Sequence, residues 1–134
     1  MEIIAGKGKG IRLEVPAGLD VRPTAVRARK SLFDSFGSFE GLSVVDLFAG
    51  SGSLGLEAAS RGASSVIFIE DAPNSLSCIG VNCSKFGKVG ADCNFNVVKG
   101  RLPEAIGRAA SYPKPDIIFA DPPYEESAKL LTGL

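Results

Sequence analysis

Residues 42–48, LSVVDLF, form a nearly continuous apolar run that leads straight into a glycine loop, Gly50-Ser51-Gly52-Ser53-Leu54-Gly55. An apolar run without alternation suits a strand covered on both faces, and such strands belong to parallel sheets layered by helices. The glycines keep the G-x-G-x-x-G spacing in the context that gives it meaning, between a buried strand and a helix. A chain that turns sharply there and lets a ligand approach its backbone has no room for Cβ atoms. A tight strand-to-helix turn of small residues is the plain alternative, but a turn alone does not need three glycines at this spacing.

The rest of the chain repeats this unit. A helix after the loop runs to about Arg61 and is closed by Gly62, and SVIFI (65–69) reads as a second strand ending at Glu70. A helix over 74–86, a third strand over 95–98, a helix over 102–110 and a fourth strand at Ile117–Ala120 follow. Strands alternating with helices at crossover length predict an α/β fold with a parallel sheet. Ahead of it, EIIAG, KGKG and IRLEV predict a β-hairpin ended by Pro16 and Gly18. Thr24 is placed to cap a helix over 25–36, with Val26, Leu32, Phe33 and Phe36 at helical spacing and Arg27, Arg29 and Lys30 turned largely elsewhere. The chain thus divides into a hairpin and helix, residues 1–38, and an α/β core, residues 39–134.

Composition argues chiefly by what is missing. There is no histidine, so a Ser-His-Asp triad, a histidine base and a His-ligated metal are excluded. Three cysteines (Cys78, Cys83, Cys93) make no C-x-x-C pair, and an odd count without a secretory leader points to reduced thiols in a cytoplasm. No metal site is expected, and no run approaches the roughly 18 apolar residues of a membrane span. Fifteen basic groups balance fifteen acidic ones, yet residues 1–30 carry seven basic against three acidic, a net of +4. A basic arm on an acidic body hints at a nucleic-acid partner. Arg22, Thr24, Arg27, Arg29 and Lys30 are the candidates for RNA phosphates, against the plainer reading of a solvated helix face.

The glycine loop alone does not choose a ligand. In a dinucleotide enzyme it would hold a pyrophosphate, with Glu70, 20 residues past Gly50, on the ribose hydroxyls at the usual offset of about 20. Asp46 separates the options. A carboxylate just before the loop would repel a pyrophosphate and favour a ligand with cationic groups, and S-adenosylmethionine carries a sulfonium and an α-ammonium. Phe48, beside the loop, is either core or part of the lining.

The fourth strand runs directly into Asp121-Pro122-Pro123-Tyr124. Two prolines fix φ near −65° and remove two N–H groups, leaving a rigid loop of acceptors followed by a ring. Such a site suits a planar group with an exocyclic NH₂, which offers two N–H bonds and a face to stack on. A rigid turn with Tyr124 covering an edge is the bland reading. In open parallel sheets, however, ligands bind at the carboxyl ends of strands where strand order reverses.

DLFAGSGSLGLEAASRGA followed by FADPPY resembles the class I S-adenosylmethionine-dependent amino-methyltransferases, which have a Rossmann-like parallel sheet. The start, IIAGKGKGIRLEVPAGLDVRPTAVRARKSLFDSF, is similar to the N-terminal hairpin and helix of the bacterial small-subunit ribosomal RNA guanine-N2 methyltransferases, the RsmD family. The resemblance runs along nearly the whole chain. It implies that the Asp46–Gly55 segment (Asp46, Phe48, Ala49, Gly50, Ser51, Gly52, Gly55) holds the methionine part of S-adenosylmethionine and Glu70 its ribose. Asp121, Pro122, Pro123 and Tyr124 would hold the target amino group, the N2 of guanine 966 in 16S ribosomal RNA, within the assembling small subunit.

The sequence departs from the family twice. Lys99-Gly100-Arg101 stands where many relatives place an acid or amide that bonds the cofactor adenine, and Arg101 cannot accept a hydrogen bond. Relatives also continue through three more strands, whereas this chain ends at Leu134, so a truncated copy of the fold is expected. Because Ile117–Ala120 is too apolar for an exposed edge, marginal stability, self-association or a longer gene product is anticipated. The competing functions are an NAD-binding oxidoreductase, opposed by Asp46 and D-P-P-Y, and a non-catalytic remnant that binds cofactor or RNA.

Overall fold

A computed structural model describes residues 1–18, 23–89, 92–109, 112 and 114–121. In chain order the elements are α1 (Pro23–Phe36), β1 (Ser43–Leu47), α2 (Ser53–Ser60), β2 (Ser65–Glu70), α3 (Pro73–Gly87), β3 (Asn94–Lys99), α4 (Ile106–Ala109) and β4 (Ile117–Ala120). The four strands form one parallel sheet in the order β3-β2-β1-β4, with Asp46 level with Phe68 on one side and Phe119 on the other. Strand order reverses between β1 and β4. The expected α/β architecture is therefore present, with strand ends within a residue or so of those read from the sequence.

Burial follows the apolar runs. Val44 and Val45 of β1 and Val66 to Ile69 of β2 are buried, as a strand layered on both faces requires. One core cluster joins Val44, Leu56, Phe68, Ile79 and Phe86 with Ile3, Leu13 and Phe33 of the N-terminal segment. Phe33 also packs against Phe39 and Phe119, with ring centroids 5.3 and 5.4 Å away. Cys78, Cys83 and Cys93 are free thiols, and burial pushes Cys83 up to about 12 and Cys93 to about 11.

The N-terminal hairpin is held by hydrogen bonds to α2 more than by its own ladder. Its pairing amounts to one antiparallel bridge, Glu2 with Arg12, plus the flanking turn bonds. The Glu57 carboxylate, fully buried, accepts the N–H groups of Ile4 (2.8 Å) and Ala5 (3.1 Å) and the Arg61 Nε–H (3.0 Å). Ser60 Oγ accepts the Gly8 N–H and donates to the Ala5 carbonyl.

Three local expectations change. The first helix opens at Pro23, so Thr24 lies in its first turn and does not cap it; proline's fixed φ suits the first helical position. On the same helix Leu32 and Phe36 are half exposed, while Arg29 is buried. The inward stripe is Val26, Arg29 and Phe33 at i, i+3, i+7, and the other two apolar residues sit beside that line. Finally, residues 102–105 form turns, and α4 begins only at Ile106, because Ile106, Gly107 and Arg108 donate to carbonyls three residues back in tight turns.

Candidate functional site

A cleft of about 770 Å³ opens at the carboxyl ends of the strands. Phe48 and Gly50 follow β1, Asp71 follows β2, Gly100 and Arg101 follow β3, and Asp121 follows β4; all of them line it. This is the switch point at which open parallel sheets bind ligands.

The glycine loop is built by conformation on one side and by close packing on the other. Gly50 and Gly52 adopt φ of 60° and 83°, in the left-handed region that disfavours a Cβ. At Gly50 a Cβ would meet only an ordinary contact with the Phe48 carbonyl oxygen at 4.0 Å, whereas at Gly55 a Cβ would fall 2.5 Å from the Phe68 ring and 2.7 Å from Val66. The third glycine thus lets α2 lie directly on β2. Gly52 likewise packs towards Phe68, so neither it nor Gly55 reaches the cleft surface; Asp46, Phe48, Ala49, Gly50, Ser51 and Glu70 do. Phe48 takes a φ of 55°, unusual for a side chain of its size, and such backbone strain concentrates at functional sites.

Two carboxylates fasten the loop. Glu70 Oε1 accepts the Gly50 N–H at 2.8 Å, and Oε2 accepts the N–H groups of Asp71 and Ala72. Asp46 Oδ2 accepts the Gly55 N–H at 3.0 Å. Asp46 is 1% exposed, and burial raises its carboxyl to about 8; the Gly55 bond opposes that shift, while Asp121 and Glu70 add to it. The acid expected to present a plain negative charge is therefore one that burial inclines to hold a proton. A third fastening has no mark in the sequence. Asn82 of α3, fully buried, donates to the Ser51 carbonyl at 2.8 Å and exchanges bonds with the backbone of Glu14, tying loop, helix and N-terminal segment together.

The remaining candidates divide. Asp121 is exposed at the end of β4 and lines the cleft with Asp46. Pro122, Pro123, Tyr124 and Arg22 lie outside the described residues, as does the side chain of Thr24. Arg27 and Lys30 are exposed on the outer face of α1, away from the cleft, and Lys30 pairs with Asp34. Arg101 pairs with Asp71 at 3.5 Å, and both line the same rim of the cleft. Among the described residues no cluster of three His, Cys, Asp or Glu is placed to hold a metal, and no helix is long and apolar enough to cross a membrane. β4 is an edge of the sheet among these residues, with Ile118 58% exposed.

Comparison with known proteins gives this geometry its relatives. The family model described as Conserved hypothetical protein 95 matches residues 1–133. The chain is 35% identical to the protein YlbH of Bacillus subtilis, over 94% of this chain and 68% of that protein. It is also 35% identical to the ribosomal RNA small subunit methyltransferase D of Escherichia coli K12, over 98% of this chain and 66% of that enzyme. The structure of a hypothetical protein of Thermus thermophilus superposes with a TM-score of 0.80 at 32% identity, over 99% of this chain and 75% of that one. The chain thus spans about two thirds of the length of its curated relatives.

Proposed function

The chain belongs to the Conserved hypothetical protein 95 family, the RsmD family, and on that premise we propose that it acts as an S-adenosylmethionine-dependent ribosomal RNA methyltransferase. Its target is the exocyclic N2 of a guanine in 16S RNA, guanine 966 by family resemblance, met in the cytoplasm on the assembling small subunit. The observation that carries this reading is the meeting of Asp46, the Gly50 turn, Glu70 and Asp121 around one cleft at the sheet's switch point. The relatives named as methyltransferases support it. An NAD-binding role is disfavoured by Asp46, because a pyrophosphate would keep this buried carboxyl protonated whereas a cationic ligand gains from its ionised form.

The residues present fit the methyl donor. The cleft's volume lies in the roughly 300–1,000 Å³ range of small-molecule sites, and Gly50 leaves backbone open to a ligand. When bound, S-adenosylmethionine supplies a methyl group activated by its sulfonium. Asp46 ionises against cationic charge at the floor of the cleft. Glu70, which already accepts three backbone N–H groups, retains one lone-pair site, on Oε1, for a ribose hydroxyl. Phe48, Ala49 and Ser51 wall the cleft between them, with Gly52 and Gly55 setting the loop's course.

At the end of β4, beside Asp46, Asp121 and the Pro122 carbonyl accept the two N–H bonds of the guanine amino group. That nitrogen is a poor nucleophile because its lone pair is delocalised into the base. Holding both N–H bonds favours its pyramidal form, and Asp121 stabilises the positive charge that develops as the N–C bond forms and the methyl–sulfur bond breaks, until the nitrogen sheds one of its protons to solvent. Pro123 stiffens the loop and Tyr124 stacks on the base. Residues 1–38, with Arg22, Thr24, Arg27 and Lys30, act as the RNA-contacting extension of the 39–134 core. Mass spectrometry of 16S RNA treated with the protein and S-adenosylmethionine tests the assignment: N2-methylguanine is expected at one position. Methylation of another atom, or reduction of NAD in place of methyl transfer, overturns it.

A further inference from the structure

Arg29 is a cation inside the fold that none of the methyl-transfer steps above uses. It is 7% exposed, yet it lines the cleft together with Asp46, Phe48 and Gly50. Its Nη2 donates to the Glu2 carbonyl at 2.7 Å, while Nε and Nη1 are buried and have no hydrogen-bond partner among the described residues. Among the described residues it pairs with none of the cleft's carboxylates; Glu57 offers only a through-space attraction, which Arg61 offsets. A buried guanidinium with unsatisfied donors is costly unless something completes it. A nearby cavity that it lines supplies the place.

We infer that Arg29 binds the α-carboxylate of the methyl donor's amino-acid end, opposite the α-ammonium held by Asp46. The inference rests on the donor proposed above and adds a residue to it. An amino-acid terminus is a zwitterion, and among its described residues the cleft offers a buried acid and a buried base that do not pair with each other, each suited to one end. An RNA phosphate is the other anion at hand. The burial of Arg29 beside the glycine loop favours a small ligand, whereas the exposed Arg27 and Lys30 of the same helix lie where a polymer reaches them.

Calorimetry on the full chain separates the possibilities, with S-adenosylhomocysteine, its carboxamide and 5′-methylthioadenosine as probes. The last keeps the nucleoside and lacks the amino-acid end. The parent protein is expected to bind S-adenosylhomocysteine about 10- to 100-fold more tightly than the carboxamide, the range of a charge-assisted bond. Arg29→Met is expected to lose that discrimination and to bind methylthioadenosine within a few-fold of the parent, with Arg29→Lys in between. Equal parent affinity for acid and carboxamide overturns the inference alone, and needs no variant to fold. Unchanged S-adenosylhomocysteine binding in Arg29→Met, with weakened RNA binding, also overturns it and assigns the guanidinium to phosphate. A parent that binds none of the three overturns the donor assignment itself.

Discussion

The side chain of Asp46, buried in β1, accepts the backbone N–H of Gly55 in the first turns of α2, nine residues on, at 3.0 Å. That bond closes the glycine loop on itself and sets the acid beneath whatever the loop holds. Because burial raises this carboxyl to about 8, its protonation is coupled both to folding and to the ligand's charge.

The sign follows from the two states. In the unfolded chain Asp46 titrates near 3.9, so between about pH 4 and pH 8 the folded protein holds the extra proton. Its contribution to stability is full below about pH 4 and is lost as pH rises to about 8. A cationic ligand favours the ionised form, so affinity for S-adenosylmethionine should rise with pH towards about 8 and then level, with a proton released on binding below that. Asp46→Asn should flatten both profiles. Urea melts across pH and calorimetry in buffers of different ionisation enthalpy check this; pH-independent binding by the parent would contradict it.

Two glycine substitutions should differ in cause. Gly55→Ala puts a methyl into Phe68 and Val66 and should cost about 1–3 kcal/mol by overpacking. Gly50→Ala meets only an ordinary contact with the Phe48 carbonyl oxygen at 4.0 Å but forces alanine to a φ of 60°, costing about 1–2 kcal/mol. Denaturant midpoints measure both, and only Gly50→Ala should also crowd the cleft and weaken ligand binding.

Glu57→Ala should be the more damaging change. It strips the partner from the Ile4 and Ala5 N–H groups and leaves Arg61, 9% exposed, without its buried carboxylate. Losing one half of a buried pair typically costs about 3–5 kcal/mol. Glu57→Gln should recover part of that by keeping an acceptor. A cost below about 1 kcal/mol in chemical denaturation would show that the hairpin does not depend on this anchor.

The order of elements and the glycine loop were legible because both depend on local pattern: unbroken apolar strands, glycine spacing, and acids at strand ends. The inner face of α1 was not. The sequence pattern turns charge outward there, yet Arg29 occupies the line between Val26 and Phe33, and Leu32 and Phe36 fall beside it. The spacing of Val26, Arg29 and Phe33 carries that signal, but arginine's usual preference for water masks it. Glu57 was signalled too, as a lone acid in the otherwise apolar SLGLEAAS with Arg61 four residues on. Asn82 had no such mark, since its partners, Glu14 and Ser51, come from 68 and 31 residues away.

For RNA, Arg22→Ala with Arg27→Ala should weaken binding to 16S RNA and leave cofactor affinity intact. For every phosphate that is no longer neutralised, the slope of log affinity against log salt should fall by about 0.7 to 0.9. An unchanged slope in a salt titration would assign both arginines to the solvated surface.

The central claim is that Asp121, which lines the cleft beside Asp46 from the neighbouring strand, takes part in methyl transfer to an RNA amino group. Single-turnover transfer of labelled methyl from S-adenosylmethionine to 16S RNA tests it most directly, comparing the parent with Asp121→Ala at saturating cofactor. Transfer by the parent is expected, with a rate lower by about 10²- to 10³-fold in the variant at near-normal cofactor affinity. Transfer at the parent rate by Asp121→Ala would contradict it.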